Sequence, residues 1–201
     1  MNMNLLYLFD LFGTFIFAST GAIRGIDKRL DIFGILVMSF LTAVGGGTIR
    51  DIIMNKIPFY FFDLNYTVSI LAGMVTIITF RSFIDKYKNI LIYLDAIGLG
   101  VFSILGAEKG LDANLPDVGV IIVGLITGIG GGILRDILVK EIPFVLEKEV
   151  YATASIIGLV LFVVLVKYSL LPFIVSVWVC IGVIIFIRII CYVLNIHLPK
   201  L

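Results

Sequence analysis

The sequence predicts an all-α integral membrane protein with seven transmembrane helices. Only 14% of its 201 residues are charged and 61% are hydrophobic, whereas a soluble domain carries about 25% charged residues. Apolar runs of about 20 residues, the length that spans a bilayer as a helix, recur along the chain. The second half also repeats the first, with Gly45 aligned to Gly130 and Asp51 to Asp136. We therefore expect a single transmembrane domain over residues 1–201.

The seven predicted helices follow one another with short connections. They cover residues 4–23, 32–54, 66–84, 90–108, 116–139, 149–167 and 170–193. Pro58 and Pro143 follow the second and fifth predicted helices, where a proline prevents the helix from continuing. Besides the junction between the two repeats, near residues 86–89, the sequence predicts no domain boundary.

The repeat aligns without a gap. Residues 45–59 and 130–144 are identical at nine of fifteen positions, which include Gly-Gly-Gly, Arg-Asp and Ile-Pro-Phe. The first repeat covers about residues 4–86, the second covers about 89–170, and the seventh helix, about 170–193, has no counterpart. Because each repeat crosses the membrane three times, the second copy must enter from the opposite side. The sequence therefore predicts two inverted three-helix repeats.

Positively charged residues predict the orientation, because lysine and arginine concentrate in cytoplasmic segments. With the N-terminus outside, and with Arg50 and Arg135 set aside as intramembrane, ten of them fall in inner segments and three in outer segments. The inner ones are Arg24, Lys28, Arg29, Arg81, Lys86, Lys88, Lys140, Lys148, Arg188 and Lys200. The outer ones are Lys56, Lys109 and Lys167. We expect the N-terminus outside and the C-terminus in the cytoplasm.

Two glycine triplets, each followed by Arg-Asp, are the candidate functional stretches. Each glycine disfavours a helix by about 1 kcal/mol relative to alanine, and an ionised side chain inside a bilayer costs about 2.5–3.5 kcal/mol. We expect the second and fifth helices to be broken at the triplets, with freed backbone groups lining a path. The helix-break and path residues would be Gly45, Gly46, Gly47, Gly130, Gly131, Gly132, Thr42 and Thr127.

The charged side chains near the triplets suggest two polar clusters, one towards each membrane face. Asp10 lies at a depth similar to that of Arg50, and Asp95 at a depth similar to that of Arg135, so each arginine has an aspartate with which it could pair. Neighbouring residues on a helix point about 100° apart. We therefore expect Arg50 and Arg135 not to neutralise the aspartates that follow them, Asp51 and Asp136. Backbone N–H groups or another cation would satisfy those two carboxylates.

A structural alternative stays open at this point: buried ion pairs could lock the helices together, with the glycines permitting close contact. No enzyme, cofactor or bound metal is expected, because the single histidine and the two cysteines form no ligand cluster and no nucleophile–base pair. The net charge of +1 argues against a nucleic-acid partner.

The doubled GGGxxRD stretch, the three-plus-three repeat and the seventh helix resemble the prokaryotic members of the trimeric intracellular cation (TRIC) channel family. The resemblance implies a homotrimer in the prokaryotic plasma (inner) membrane. Each protomer would hold a pore between kinked helices 2 and 5 that conducts monovalent cations, chiefly potassium. The family's glycine motifs fall on the two triplets, and its basic pore residues fall on Arg50 and Arg135. Membrane lipids are expected partners, and bound lipid is an expected ligand.

Three functional hypotheses follow. The leading one is a cation channel in which carbonyl groups at the glycine breaks and the four aspartates attract potassium or sodium, while the arginines gate conduction. Related bacterial sequences are labelled glycine transporters, so the second hypothesis is a carrier for a small neutral amino acid such as glycine. An arginine would bind its carboxylate and an aspartate its ammonium group. The third is a membrane scaffold that transports nothing.

Overall fold

The computed structural model of the protein describes residues 2–84, 89–147 and 150–194, and within these ranges the regular elements are helical. The helices are α1 (Asn2–Asp27), α2 (Ile32–Ile53), α3 (Leu64–Thr79), α4 (Arg81–Ile84), α5 (Ile90–Asp112), α6 (Asp117–Leu138), α7 (Phe144–Glu147), α8 (Val150–Lys167) and α9 (Phe173–Val193). A short 3₁₀ turn covers Phe59–Phe61.

Six of the described helices are long and apolar enough to cross a membrane: α1, α2, α5, α6, α8 and α9. The chain is therefore an integral membrane protein with an all-α fold. The third predicted helix, 66–84, is divided in the structure. Its main part, α3, is apolar but has only 16 residues, and the short α4 follows after Phe80.

Residues with a left-handed backbone end several of these helices. The predicted ends at residues 23 and 108 are too early, because α1 and α5 continue to Asp27 and Asp112. A helix does not have to end where its apolar run ends. It ends here where the backbone turns, at Arg29 (φ 56°) and Asn114 (φ 54°). The predicted repeat junction and the start of the sixth predicted helix lie mostly outside the described residues, as do Lys86, Lys88, Lys148, His197 and Lys200.

The glycine triplets do not break their helices. α2 runs without interruption through Gly45–Gly47, and α6 runs through Gly130–Gly132. The expectation of broken helices is wrong for this structure, because the triplets serve a different purpose: they let α2 and α6 touch. A Cβ added to Gly46 would lie 2.1 Å from the Thr127 carbonyl oxygen, and one added to Gly131 would lie 2.1 Å from that of Thr42.

Positions that the repeat aligns in the sequence make equivalent contacts in three dimensions. The contact of Gly46 with Thr127 corresponds in this way to the contact of Gly131 with Thr42. Phe17 of α1 corresponds to Phe102 of α5, and these two rings meet edge-to-face at a centroid distance of 5.1 Å. The main hydrophobic core is centred on α5 and extends from α1 and α2 on one side to α8 and α9 on the other. α3 packs against α1. α8 packs against α5 and α6, and α9 packs against α5.

Candidate functional site

The first group of charged residues, here named the Arg135 cluster, lies between α1, α5, α6 and α8. It consists of Thr20, Asp95, Arg135, Asp136, Phe144 and Tyr151. The Arg135 guanidinium donates from Nε to Asp136 Oδ1 (2.8 Å) and from Nη1 to Asp95 Oδ1 (2.7 Å). It also donates from Nη1 to Thr20 Oγ1 (3.3 Å). Arg135 and Asp95 are fully buried, so this network of opposite charges is shielded from solvent.

The second group, here named the Arg50 cluster, lies where α1, α2 and α3 meet. It consists of Asp10, Arg50, Asp51, Phe59 and Tyr66. Arg50 donates from Nε to Asp51 Oδ1 (2.8 Å), and the backbone N–H of Phe59 donates to Asp51 Oδ2 (3.1 Å). The Tyr66 hydroxyl donates to Asp10 Oδ2 (2.7 Å). Arg50 and Asp51 are each 5% exposed, whereas Asp10 is only partly buried.

The structure changes the expected pairing of these charges in two ways. Each arginine does bind the aspartate that follows it, contrary to expectation. The difference in direction between neighbouring residues does not prevent this, because the long arginine side chain bends back so that its Nε reaches the carboxylate. Asp95 pairs with Arg135 as the matching depth suggested. The expected pair of Arg50 with Asp10 is not formed among the described residues, and the Tyr66 hydroxyl donates to that carboxylate instead.

Asp51 and Asp136 each accept a hydrogen bond from a backbone N–H group, one of the two kinds of donor expected from the sequence. The N–H of Phe144 donates to Asp136 Oδ2 at 3.0 Å, just as Phe59 donates to Asp51. These phenylalanines belong to the two Ile-Pro-Phe stretches, so the turn after each helix folds back onto the motif. Each ring also lies close to its arginine: Arg50 Cζ is 5.4 Å from the Phe59 centroid, and Arg135 Cζ is 5.2 Å from that of Phe144.

Thr42 and Thr127 are buried at the crossing of α2 and α6. Their hydroxyls donate to carbonyl oxygens of their own helices, Thr42 to Met38 (2.6 Å) and Thr127 to Val123 (2.7 Å). Their contribution to the site is the carbonyl groups that touch the glycines across the crossing, rather than free hydroxyls. Within the described parts of the chain, no group of three histidine, cysteine or acidic residues is placed to hold a metal ion.

A cavity of about 440 Å³ opens beside the Arg50 cluster. It is lined by Leu6, Tyr7, Asp10, Tyr66, Leu105, Glu108, Lys109 and Asp112. Three of these side chains are acidic and one is basic, so the cavity is suited to attract a cation or a molecule with an ammonium group. The volume falls within the range of about 300–1,000 Å³ that small-molecule sites have.

At the Arg135 cluster, the space that the described residues line is much smaller. The space beside Gly132 and Tyr151 is too small for a water molecule. Over the cluster lies a group of charges, here named the Glu141 latch. Lys28 Nζ and Arg24 Nη1 lie 2.7 and 3.1 Å from the Glu141 carboxylate, and Arg24 Cζ lies 5.0 Å from the Phe144 ring centroid. The hydrogen bond from Lys28 holds the pKa of Glu141 below its ordinary value, so this carboxylate is ionised at neutral pH.

Sequence reasoning missed Tyr66 and Tyr151, and it assigned no role to Arg188. The two tyrosines occupy aligned positions of the two repeats, so extending the alignment beyond Ile-Pro-Phe and asking which positions carry polar groups would have found them. Arg188 was counted among the cytoplasmic cations. In the structure it is 4% exposed, and its Cζ lies 4.7 Å from the Tyr151 ring centroid.

A family model described as "Glycine transporter" matches this chain twice, over residues 7–82 and 92–167. The chain belongs to this family. Two relatives carry names that state no activity. The UPF0126 inner membrane protein YadS of Escherichia coli K12 is 42% identical over 156 residues, which cover 77% of this chain and 75% of that protein. A UPF0126 membrane protein of Vibrio cholerae is 45% identical over 160 residues, 79% of this chain and 67% of that protein.

Solved structures also match over almost the whole chain. A TRIC trimeric intracellular cation channel orthologue from Rhodobacter sphaeroides has a TM-score of 0.90 and 33% identity, covering 96% of this chain and 99% of its own. A prokaryotic TRIC channel in 0.5 M KCl has a TM-score of 0.89 and 32% identity, covering 98% and 100%. The resemblance to the TRIC family that the sequence suggested is confirmed.

The two segments that match the glycine transporter family each contain one complete set of cluster residues. The first segment holds the five residues of the Arg50 cluster, and the second holds their counterparts Asp95, Arg135, Asp136, Phe144 and Tyr151. Each segment of this family member therefore supplies an aspartate from its first helix, an Arg-Asp pair from its second and a phenylalanine and a tyrosine beyond it.

Proposed function

We propose that this protein conducts monovalent cations, chiefly potassium, along a path inside each protomer of a homotrimer. The observation that carries the proposal is the match to solved TRIC cation channels, at 33% identity over 96% of the chain. Two features support it: the arginines of both charged clusters are buried inside the protomer, and an acidic cavity reaches one of the clusters. A scaffold in which buried ion pairs lock the helices together would account for the clusters but would not require the cavity.

The proposed path begins in the cavity beside the Arg50 cluster, passes the crossing of α2 and α6, and ends at the Arg135 cluster. Because the two helices touch at the glycine triplets, conduction requires them to separate or bend there, and glycine permits such a kink. The continuous helices leave no free carbonyl groups for a filter. We therefore assign cation attraction to Asp10 and Asp95, and gating to Arg50 and Arg135 with their neighbours Asp51 and Asp136.

In the membrane, we propose seven crossings, with α3 as the third, and two inverted repeats followed by α9. The N-terminus would lie outside and the C-terminus in the cytoplasm of a prokaryotic cell, with lipid around the trimer. In this orientation the 440 Å³ cavity faces outwards, and the Glu141 latch faces the cytoplasm. The structure would then correspond to a form that is accessible from outside and closed at its cytoplasmic end.

Recording from the purified protein in planar bilayers, under potassium and sodium gradients, tests this proposal. We expect unit currents far above the turnover of a carrier, with a larger permeability for potassium. Arg50→Ala and Arg135→Ala should each change the open probability, whereas Lys167→Ala, which removes an exposed ion pair with Asp117, should not. Absence of unit currents would refute the channel. Unchanged gating in both arginine variants would exclude the arginines from its mechanism.

A carrier for a small neutral amino acid such as glycine is the second candidate. The family description and the difference between an open and a closed cluster favour it, since alternating access requires one end to be closed. An aspartate would bind the ammonium group and an arginine the carboxylate. Counterflow in liposomes separates the two candidates, because a carrier exchanges labelled for unlabelled glycine without producing unit currents.

A further inference from the structure

We propose that each end of the path opens when its aspartate exchanges partners, leaving the arginine and accepting a hydrogen bond from the tyrosine of the same cluster. At the closed end, Asp95 would leave Arg135 for Tyr151. At the open end, Asp10 already bonds to Tyr66 and would move to Arg50 on closing. The inference rests on the proposed function, because it assumes that the two clusters are the two ends of one path.

The first observation is that corresponding aspartates have different partners. Asp95 accepts a hydrogen bond from Arg135 Nη1 at 2.7 Å, whereas Asp10 accepts one from the Tyr66 hydroxyl at 2.7 Å. Two other bonds are common to both clusters, since each arginine binds the next aspartate at 2.8 Å and each of those aspartates binds a backbone N–H. Arg135 also donates to Thr20, for which the Arg50 cluster has no counterpart. One structure thus contains two states of the same five-residue arrangement.

The second observation is an unused hydroxyl at the closed end. The Tyr151 hydroxyl, Asp95 Oδ2 and Arg135 Nη2 are buried and have no hydrogen-bond partner. A buried polar group without a partner is unfavourable and uncommon in a stable structure. The Tyr151 hydroxyl and Asp95 Oδ2 are therefore a donor and an acceptor that remain available to bond to each other.

The third observation is that the exchange needs only a short movement. The Tyr151 hydroxyl, Arg135 Nη2 and Asp95 Oδ1 all lie within 4 Å of one point, the position that a Cβ on Gly132 would occupy (3.2, 3.7 and 3.8 Å). Because residue 132 is a glycine, no side chain stands between these groups. A change of the Asp95 rotamer with a small shift of α5 or α8 would bring the carboxylate to the hydroxyl.

The Arg-Asp pairs lower the cost of the exchange for the arginine. An arginine that lost its only counterion inside the protein would remain as an uncompensated buried charge, which is strongly unfavourable. Arg135 would keep Asp136 when Asp95 leaves, as Arg50 keeps Asp51 at the open end. The two aspartates of each cluster therefore differ in role. The one that follows the arginine in sequence neutralises it in both states, and the one on the first helix of the repeat changes partner.

Tyrosine-to-phenylalanine variants test the exchange, because they remove the hydroxyl and keep the ring contacts with Arg188 and Phe59. In a background with Cys180→Ala and Cys191→Ala, Val145→Cys reports on the closed end and Leu6→Cys on the open cavity. The rates of reaction with a small cationic thiol reagent are measured in liposomes. Tyr93→Phe is the matched control, since the structure records for Tyr93 an edge-to-face ring contact with Tyr192 and no hydroxyl bond.

We expect Tyr151→Phe to slow the reaction at Val145→Cys, and the potassium flux, by about tenfold, the effect of one hydrogen bond to a charged group. Tyr66→Phe should slow the reaction at Leu6→Cys by a similar factor. Tyr93→Phe should change neither. Unchanged rates in Tyr151→Phe would overturn the inference, and so would faster rates at both reporters, which indicate loosened packing. A wild-type protein without flux would refute the proposed function alone, because the reporter rates still test the exchange.

Discussion

The Arg50 and Arg135 clusters share five residues at the same spacing, yet a cavity of about 440 Å³ adjoins the first, whereas the space beside Tyr151 in the second is too small for a water molecule. The difference comes from the residues around them. Glu141 and Arg24, which form the latch at the closed end, correspond to Lys56 and Lys109 at the open end, where two like charges cannot form such a pair. The repeated residues define what each end can do, and the residues that differ decide which end is closed.

The sharpest test of this difference is the removal of each arginine. Arg135→Ala leaves two buried carboxylates without their cation and should lower the free energy of unfolding by about 3–5 kcal/mol. Arg50→Ala should cost less, about 1–3 kcal/mol, because Asp51 keeps the Phe59 N–H and Asp10 keeps the Tyr66 hydroxyl. Thermal unfolding in detergent, followed by circular dichroism, measures both. Equal losses would contradict the unequal burial of the clusters.

The two halves of the glycine crossing are equivalent, so substitutions in them should lower the free energy of unfolding by similar amounts, unlike the two arginine substitutions. Gly46→Ala and Gly131→Ala each place a methyl group against a carbonyl oxygen of the facing helix, and each should destabilise by about 1–3 kcal/mol. Gly182→Ala is the control, since no atom lies within 4 Å of its added Cβ. The same unfolding assay applies. A neutral result for either crossing glycine would show that α2 and α6 do not meet as described.

Loosening the Glu141 latch should produce a smaller effect on transport. Glu141→Gln removes the charge that holds Lys28 and Arg24 over Phe144. These side chains are partly exposed, so solvent screening limits the effect to about 1 kcal/mol or less, which corresponds to a rise in flux of about two- to fivefold. Asp117→Asn, which breaks an exposed pair with Lys167, is the matched control. A fall in flux would mean that the latch supports the path instead of closing it.

The smallest expected effect is the change with pH in the contribution of the Glu141 latch to the flux. The pKa of Glu141 is lowered in the folded protein by its hydrogen bond from Lys28. The stabilisation that ionised Glu141 contributes is therefore complete when the pH lies above the ordinary glutamate pKa of about 4.3. It is lost as the pH falls through the lowered pKa of Glu141. Wild-type and Glu141→Gln flux should keep a constant ratio between pH 8 and about pH 5. A ratio that approaches one already at pH 6 would contradict this assignment.

The TRIC resemblance and the membrane character followed from the sequence because they depend on local patterns. Apolar runs as long as a bilayer is thick require helices that cross it, and the two aligned GGGxxRD stretches locate both clusters. The donors to Asp51 and Asp136 were also expected in kind, since a buried carboxylate needs them. Helix ends were less accurate, because α1 and α5 stop at left-handed residues and not where hydrophobicity ends.

Only the tertiary structure decided what the glycines and charges do. Glycine weakens a helix in isolation, but it also allows two helices to touch, and the carbonyls of Thr42 and Thr127 on the facing helices select the second effect. Depth along a helix likewise gives each arginine a possible aspartate, but the choice between Arg50 and Tyr66 for Asp10 depends on how α1, α2 and α3 pack together. Sequence spacing determines which groups can meet, whereas packing determines which of them do.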